Sequence, residues 1–274
     1  MFMMRLLFLI FVATVVAGGL RAQPAGYRFE RSIAYRPAEG DAQIDTMCRL
    51  DICCPTARKG FATVVWFHGG GLEGGEREIP AALCDKGFAV VGVGYRLVPQ
   101  VEVADCIDDA AAAVAWVVRH IASYGGDPRK IFVAGHSAGG YLTTMVGMDK
   151  RWLAPYGIDP DTTFVALIPY SGQAITHFAR RREMGKAETE PWADDMAPLS
   201  HVRPDCPPLL LLSGDREQEM LGRYEENAYF WRMLRVAGHP DARLCEFDGY
   251  NHGNMPQAGH PVAVRYIREK LAEQ

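Results

Sequence analysis

The sequence predicts an α/β fold in which a largely parallel sheet is covered by helices on both faces. Short apolar runs typical of buried strands alternate with stretches of helical periodicity, which is the pattern of repeated strand-helix units. The 274 residues, 49% of them hydrophobic, suffice for the core of one large domain. Substrates of such sheets bind at the carboxyl ends of the strands, so the functional residues are expected in the loops there.

The chain begins with a segment that the strand-helix alternation does not include. Arg5 precedes the apolar run 6–17, and small residues follow it. A run of this length suits a secretory signal but is short of the roughly 18 residues that span a bilayer. We predict a cleaved signal peptide at 1–22, a single domain at 23–274, and export to the periplasm or the exterior without stable membrane insertion. A membrane-embedded anchor is the alternative.

The charge balance argues against a nucleic-acid partner. The formal charge of −4 becomes −6 when Arg5 and Arg21 are removed with the signal peptide. Binding to phosphates requires a basic surface, which this composition does not provide. The densest basic run, residues 180–182, is interpreted as a solvated helix face.

The cysteines and the other possible metal ligands form no recognisable disulfide or metal-site pattern. The 7 cysteines permit disulfides in an exported protein, but an odd number leaves at least one thiol free or paired between chains. Buried reduced thiols are equally compatible with a chain of this length. No group of possible ligands has metal-site spacing on a predicted helix, so no metal site is expected.

The elements follow from the pattern in chain order. Apolar residues at 103, 107, 114, 117, 118 and 121 form one face of a helix, which the glycines at 125 and 126 end. The predicted strands lie at 27–35, 47–55, 61–71, 88–97, 131–134, 164–172, 207–215 and 242–249, and the predicted helices at 80–86, 103–121, 138–146, 220–237 and 261–271.

The polar, irregular stretch 173–203 is long for a connection between two elements. Two roles remain open for it. It could cover the site as a lid, or it could be a peripheral insertion without contact to the substrate.

A serine lies at the turn from one predicted strand to the next helix. In "GHSAGG", Ser137 is flanked by Gly135 and Gly139, which lack a Cβ and allow a sharp bend with the helix close to the strand. This G-x-S-x-G turn would project the hydroxyl above the sheet at a helix N-terminus. An ordinary glycine-rich loop is the alternative interpretation.

A serine hydroxyl needs a base, and the base needs an orienting carboxylate. Asp215 directly follows a buried strand, and His252 lies in a loop rich in glycine and asparagine after the last strand. The order Ser137, Asp215, His252 is that of an α/β-hydrolase triad. Asp248 is a rival for the acid because it is close to His252 in sequence, but Asp215 has the better position at a strand end.

The motif "HGGG" at 68–71 also follows a buried strand. Acyl transfer places negative charge on the carbonyl oxygen of the substrate, and backbone N–H groups stabilise it. We expect these donors at Gly70, Gly71 and Ala138. His68 and His136 flank the motifs and are interpreted as loop-holding residues, and His239 and His260 as surface residues.

Together, "HGGG", "YRL.P" and "GHSAGG" with Asp215 and His252 resemble the α/β-hydrolase superfamily, in particular its esterase/lipase branch of hormone-sensitive-lipase-like carboxylesterases and secreted carbohydrate esterases. The resemblance implies an eight-stranded sheet and hydrolysis through an acyl-enzyme without a cofactor. The chain departs from the branch in "GDREQE", so Glu217 or Glu219 competes with Asp215. It also lacks the long N-terminal cap, which argues against bulky lipid acyl chains.

The sequence therefore predicts a secreted serine esterase that acts on short acyl or hydroxycinnamoyl esters of carbohydrates, as small molecules or polysaccharides. Two alternatives remain. One is an exported peptidase or amidase with the same triad, and the other is a hydrolase-fold binding protein without turnover.

Overall fold

The computed structural model describes residues 25–220 and 222–273. The predicted signal peptide at 1–22 lies outside the described residues. Within the described part, no helix combines the length and the apolar character needed to cross a membrane.

One sheet organises the molecule. Its eight strands run in the order β1-β2-β4-β3-β5-β6-β7-β8. Strands β3 to β8 are parallel, whereas β1 and β2 pair antiparallel at one edge. The bounds are β1 Tyr27–Ala34, β2 Arg49–Pro55, β3 Phe61–Phe67, β4 Ala89–Val93, β5 Gly126–His136, β6 Phe164–Tyr170, β7 Leu209–Gly214 and β8 Ala242–Phe247. The predicted mostly parallel, eight-stranded sheet is confirmed.

Helices connect the strands. They are α1 Ala42–Met47, α2 Val103–His120, α3 Ala138–Met148, α4 Pro160–Thr163, α5 Phe178–Glu183, α6 Arg223–Val236 and α7 Met255–Ala272. The short helices α1 and α4 were not predicted, and the expected helix at 80–86 is a 3₁₀ turn at Ala81–Leu83. Helix α7 begins six residues before the predicted start. Pro256 lies in its first turn, where the backbone N–H groups have no partner within the helix, so a proline loses no hydrogen bond there.

The two faces of the sheet carry separate cores. Side chains such as Val65 and Val133 pack with helices α2, α3 and α6 on one face, whereas their neighbours Val64 and Phe132 pack with α7 on the other. This alternation follows from the period of two along a strand. Helices therefore cover both faces, as predicted.

The cysteines form no disulfide in this structure. All seven are free thiols, and all except Cys245 are buried. Burial raises the pKa of Cys48 and of Cys106 to about 12, and that of Cys206 to about 11. These thiols are part of the core and stay protonated at neutral pH.

Candidate active site

The serine turn has the sharp geometry that its sequence predicts. Ser137 joins β5 to α3 with φ 57° and ψ −116°, a backbone conformation that residues other than glycine rarely adopt. Its backbone N–H donates to Tyr170 O at 2.8 Å, which ties the turn to the end of β6. The hydroxyl therefore stands at the carboxyl edge of the sheet, and the first free N–H of α3 belongs to Ala138.

Gly139 makes this turn possible. A Cβ placed on Gly139 would lie 2.0 Å from Phe67 O at the end of β3, far inside van der Waals contact. Helix α3 thus begins directly against the backbone of the sheet, and any side chain at 139 would push the serine turn away from it.

His252 contacts the serine from the loop between β8 and α7. Its Nε2 lies 2.8 Å from Ser137 Oγ. The loop is a tight turn in which Asn251 Oδ1 accepts from the backbone N–H groups of Gly253 at 3.0 Å and Asn254 at 3.1 Å. The predicted pair of Ser137 and His252 is therefore brought into hydrogen-bond contact.

The carboxylate bonded to His252 belongs to Glu219. Its Oε1 lies 2.5 Å from His252 Nδ1, and its side chain has no exposed surface. Burial alone would raise the pKa of this carboxyl, but the hydrogen bonds from His252 and Ser171 outweigh burial and lower it to about 2. Glu219 is therefore ionised at neutral pH and accepts a hydrogen bond from the Nδ1–H of His252.

Three further donors fix the Glu219 carboxylate. The Ser171 hydroxyl and the Gly214 N–H, the latter at 3.0 Å, both donate to Oε2, while the N–H of Met220 donates to Oε1 at 2.9 Å. Ser171 itself is fully buried at the end of β6, and its carbonyl accepts from Arg223. The acid is thus oriented by the ends of two strands.

Asp215 does not bond to His252, and its prediction as the triad acid is wrong. Its carboxylate accepts from the backbone N–H of Gly249 at 2.7 Å and of Glu217 at 2.9 Å, which also lower its pKa. It closes the turn after β7 and ties it to the loop after β8. The rivals Glu217 and Asp248 are exposed.

A sequence signal for Glu219 exists in the spacing. The N–H of Glu219 donates to Asp215 O at 2.7 Å, so the chain makes one helical turn after β7. A residue four positions after the strand-end Asp215 is returned to the edge of the sheet by such a turn. The position of Asp215 at a strand end therefore led to the correct turn, but the carboxylate bonded to His252 lies four residues later in that turn.

His136 holds the loop that carries the base. Its Nε2–H donates to the backbone carbonyl of His252 at 2.9 Å, and the two rings lie 4.8 Å apart. Burial, and after it the charge of His252, lower the pKa of His136 to about 4. It therefore stays neutral, and its interpretation as a loop-holding residue fits these contacts.

The glycine loop after β3 lies beside the serine. A Cβ on Gly69 would lie 3.1 Å from His136 O and 3.3 Å from Ser137 Cβ, so the glycine loop packs closely against the serine turn. Gly70 O accepts from the N–H groups of Glu73 and Gly74, each at 3.0 Å, and the Tyr95 hydroxyl donates to His68 O at 2.8 Å.

Within the part of the chain that the structure describes, the N–H groups of Gly70, Gly71 and Ala138 have no protein acceptor. They remain the predicted donors to a substrate oxygen. His68 stacks on Tyr95 with 4.3 Å between ring centroids, in agreement with a structural role.

The surface assignment of two other histidines is wrong. His239 and His260 are 6% and 8% exposed. His239 bonds to Cys206 O at 2.9 Å, and the ring of His260 lies 5.6 Å from that of Trp66 under α7. Both were predicted at segment ends, where the packing of α6 and α7 against the sheet buries them.

The stretch 173–203 reaches the glycine loop. Helix α5 lies within it, and the Phe178 ring would be 2.9 Å from a Cβ on Gly71. Its basic run is not a solvated face, because Arg181 is 3% exposed. A cavity of about 700 Å³ lies between this stretch and the start of α6. Among the described residues, no group of three or more acidic, histidine or cysteine side chains could hold a metal ion.

Comparisons with known proteins agree with this geometry. The family described as BD-FAE matches residues 50–154. A probable isoprenylcysteine alpha-carbonyl methylesterase of Oryza sativa subsp. japonica is 38% identical over 34% of this chain and 23% of its own length. The esterase LipC of Mycobacterium tuberculosis is 26% identical over 87% of this chain and 62% of its own length. The chain thus spans less than two thirds of these relatives.

Solved structures share the whole fold. A carbohydrate esterase from gut microbiota, in truncated form, has a TM-score of 0.73 at 18% identity and covers 89% of this chain and 96% of its own. The apo form of Thermogutta terrifontis esterase 2 has a TM-score of 0.69 at 25% identity and covers 91% of this chain and 97% of its own. The chain therefore has the α/β-hydrolase fold, and the proteins that it resembles in sequence include esterases and a methylesterase.

Proposed function

We propose that the protein is a carboxylic ester hydrolase that works through an acyl-enzyme. One observation carries this proposal. Ser137, His252 and Glu219 form a continuous chain of hydrogen bonds, 2.8 Å from Ser137 Oγ to His252 Nε2 and 2.5 Å from His252 Nδ1 to Glu219. This is the order of contacts that turns a serine hydroxyl into a nucleophile.

In the first half of the reaction, Ser137 Oγ attacks the ester carbonyl carbon and its proton passes to His252 Nε2. Glu219 keeps the Nδ1 proton in place and stabilises the imidazolium. The carbonyl oxygen becomes negative, and the N–H groups of Gly70, Gly71 and Ala138 would donate to it. The tetrahedral intermediate then expels the alkoxide, which takes the proton from His252.

In the second half, His252 removes a proton from water, and the hydroxide attacks the acyl-enzyme carbonyl. The same donors stabilise the second tetrahedral intermediate. Ser137 leaves as its oxygen regains the proton from His252.

We further propose short acyl or hydroxycinnamoyl esters of carbohydrates as substrates, and export from the cytoplasm. The similarity in fold to a carbohydrate esterase supports the substrate class. The sequence of residues 1–22 supports export.

The first test is the hydrolysis of p-nitrophenyl esters from acetyl to dodecanoyl by the mature protein and by Ser137→Ala. We expect rates that fall with chain length and a loss of about 10⁴-fold or more in the variant. Equal rates in both proteins, or none in either, would refute the proposal.

Two further measurements separate the alternatives. A fluorophosphonate should label Ser137, whereas a binding protein without turnover should not react. An acyl p-nitroanilide hydrolysed faster than the matching p-nitrophenyl ester would instead indicate an amidase.

A further inference from the structure

Two cysteines face each other near the antiparallel edge of the sheet. Cys53 lies in β2, directly opposite Val90 of β4. Val90 packs in the same core as Leu83, and Cys84 is the next residue after Leu83. Opposite residues of an antiparallel pair point to the same face of the sheet. The side chain of Cys53 is therefore directed at the turn that carries Cys84.

A hydrogen bond between other residues holds the same two segments together. Tyr27 pairs with Pro55, two residues after Cys53, so the side chains of Tyr27 and Cys53 share a face of the sheet. The backbone N–H of Gly87 donates to the Tyr27 hydroxyl at 2.7 Å. This bond fixes residues 84–87 over the end of β2, where the two thiols form a hydrogen bond with each other.

The neighbouring thiol of Cys54 is not an equivalent partner for Cys53. Successive side chains of a strand point to opposite faces of the sheet. Cys54 accepts from Arg28 Nε at 3.4 Å and packs in the core on the side of α2. The geometry therefore favours Cys84 as the partner of Cys53.

Cys84 has the properties of an attacking thiol. The hydrogen bond from Cys53 lowers the pKa of Cys84, and together with the charge of Lys86 it outweighs the opposite effect of burial. Cys84 is 7% exposed, whereas Cys53 has no exposed surface. An oxidant in solution therefore reaches the sulfur of Cys84 first.

We infer that Cys53 and Cys84 are a disulfide site, which is oxidised by a low-molecular-weight disulfide such as oxidised glutathione. The Cys84 thiolate attacks one sulfur of the oxidant, which forms a mixed disulfide and releases a thiolate that takes up the proton Cys84 has lost. Cys53 then loses its proton and attacks the Cys84 sulfur, and the second thiol leaves with that proton. The two protein sulfurs are oxidised, and the two sulfurs of the oxidant are reduced.

This disulfide site is separate from the proposed esterase activity and does not depend on it. The bond would join the two ends of the segment 53–84, which contains β3 and the glycine loop at 68–71. A cross-link between the ends of such a segment reduces the conformational freedom of the unfolded chain. We therefore expect oxidation to raise the melting temperature by about 5–10 °C.

The test begins with the protein reduced by dithiothreitol, freed of the reductant and incubated with oxidised glutathione. The number of thiols counted in denaturant should fall by two from the seven of the reduced chain. Mass spectrometry of a tryptic digest should find the peptide 50–58 linked to the peptide 78–86, and fragmentation should place the bond at Cys53.

Two variants identify the partners. Cys84→Ser should lose both the linked peptides and the rise in melting temperature on oxidation. Cys54→Ala is the matched control and should keep both. Each variant is compared with its own reduced form, so a general loss of stability does not affect the comparison.

Four outcomes would overturn the disulfide site. They are an unchanged thiol count in the wild type, a link through Cys54, glutathione that stays attached to Cys84, and a rise in melting temperature that persists in Cys84→Ser.

Discussion

The serine and the acid of the candidate site are held by different kinds of contact. Around Ser137 the contacts are between backbones, and a Cβ on Gly139 would lie 2.0 Å from Phe67 O. Around Glu219 the serine, histidine and arginine side chains supply much of the bonding network. Backbone contacts leave no room for adjustment, whereas side-chain hydrogen bonds can shift.

This difference predicts that substitutions near Ser137 and near Glu219 have different effects. A change near Ser137 should lower the stability of the fold, because the sheet and α3 meet there without space. A change near Glu219 should leave the fold largely intact and alter the orientation of His252. The four predictions below test this division, beginning with the largest expected effect.

The first prediction concerns the acid. Glu219→Gln should lower kcat about 10³–10⁴-fold, because an amide cannot hold His252 in the required tautomer with the same charge. Asp215→Asn is the matched control and should lower kcat less than about tenfold, since its carboxylate bonds only to the turns. Esterase kinetics on p-nitrophenyl acetate measure both. A larger loss in Asp215→Asn would return the catalytic role to Asp215.

The second prediction concerns the serine turn. Gly139→Ala should lower the free energy of unfolding by about 3 kcal/mol, because the new methyl group collides with Phe67 O. Gly74→Ala in the neighbouring loop is the control. Its Cβ would meet only Gly70 O at 3.9 Å, so it should change stability by less than about 0.5 kcal/mol. Urea unfolding measures the difference, and equal effects would contradict the proposed rigidity of the serine turn.

The third prediction is a pH dependence. The pKa of Glu219 is about 2 in the folded protein, against 4.5 ordinarily. A depressed carboxyl pKa stabilises the fold above pH 4.5, and this contribution is lost as the pH falls towards 2. The difference in unfolding free energy between wild type and Glu219→Gln should be about 2 kcal/mol at neutral pH, less than the loss expected for Gly139→Ala, and should shrink below pH 4.5. A difference constant from pH 7 to pH 3 would contradict the ionised, bonded state.

The fourth and smallest effect is expected at the histidine that holds the His252 loop. His136→Phe keeps an aromatic ring beside His252 but removes the Nε2–H that donates to His252 O. We expect kcat/KM on p-nitrophenyl acetate to fall about tenfold, the equivalent of one hydrogen bond. Stability should change little by comparison. A drop in melting temperature without a loss of kcat/KM would show that His136 supports the fold and not the base.

The sequence predicted best those features that the backbone fixes. The strands of the mostly parallel sheet, the turn at Ser137 and the loop at Gly70 and Gly71 all leave glycines or apolar runs in the sequence, because the backbone must bend or be buried there. His252 was found because its loop follows the last strand. These features need no knowledge of how distant side chains meet.

The features that were missed depend on contacts between distant parts of the chain. Glu219 and Asp215 lie in one turn, and only the positions of Ser171 and His252 determine which carboxylate is bonded to the base. The burial of His260 depends likewise on the packing of α7 over Trp66. Arg181 lies in a basic run that the sequence predicts to be solvated, and it is buried because the stretch 173–203 packs against α6. No local pattern encodes such contacts.

The free thiols in the core provide a chemical probe of unfolding. Cys48, Cys53, Cys54 and Cys106 have no exposed surface. A thiol-reactive dye can modify them only when the core opens, so the rate of labelling measures how often the folded protein opens. Because the seven cysteines form no disulfide, the chain can reach this structure without an oxidising catalyst, and refolding after denaturation needs no pairing of sulfur atoms.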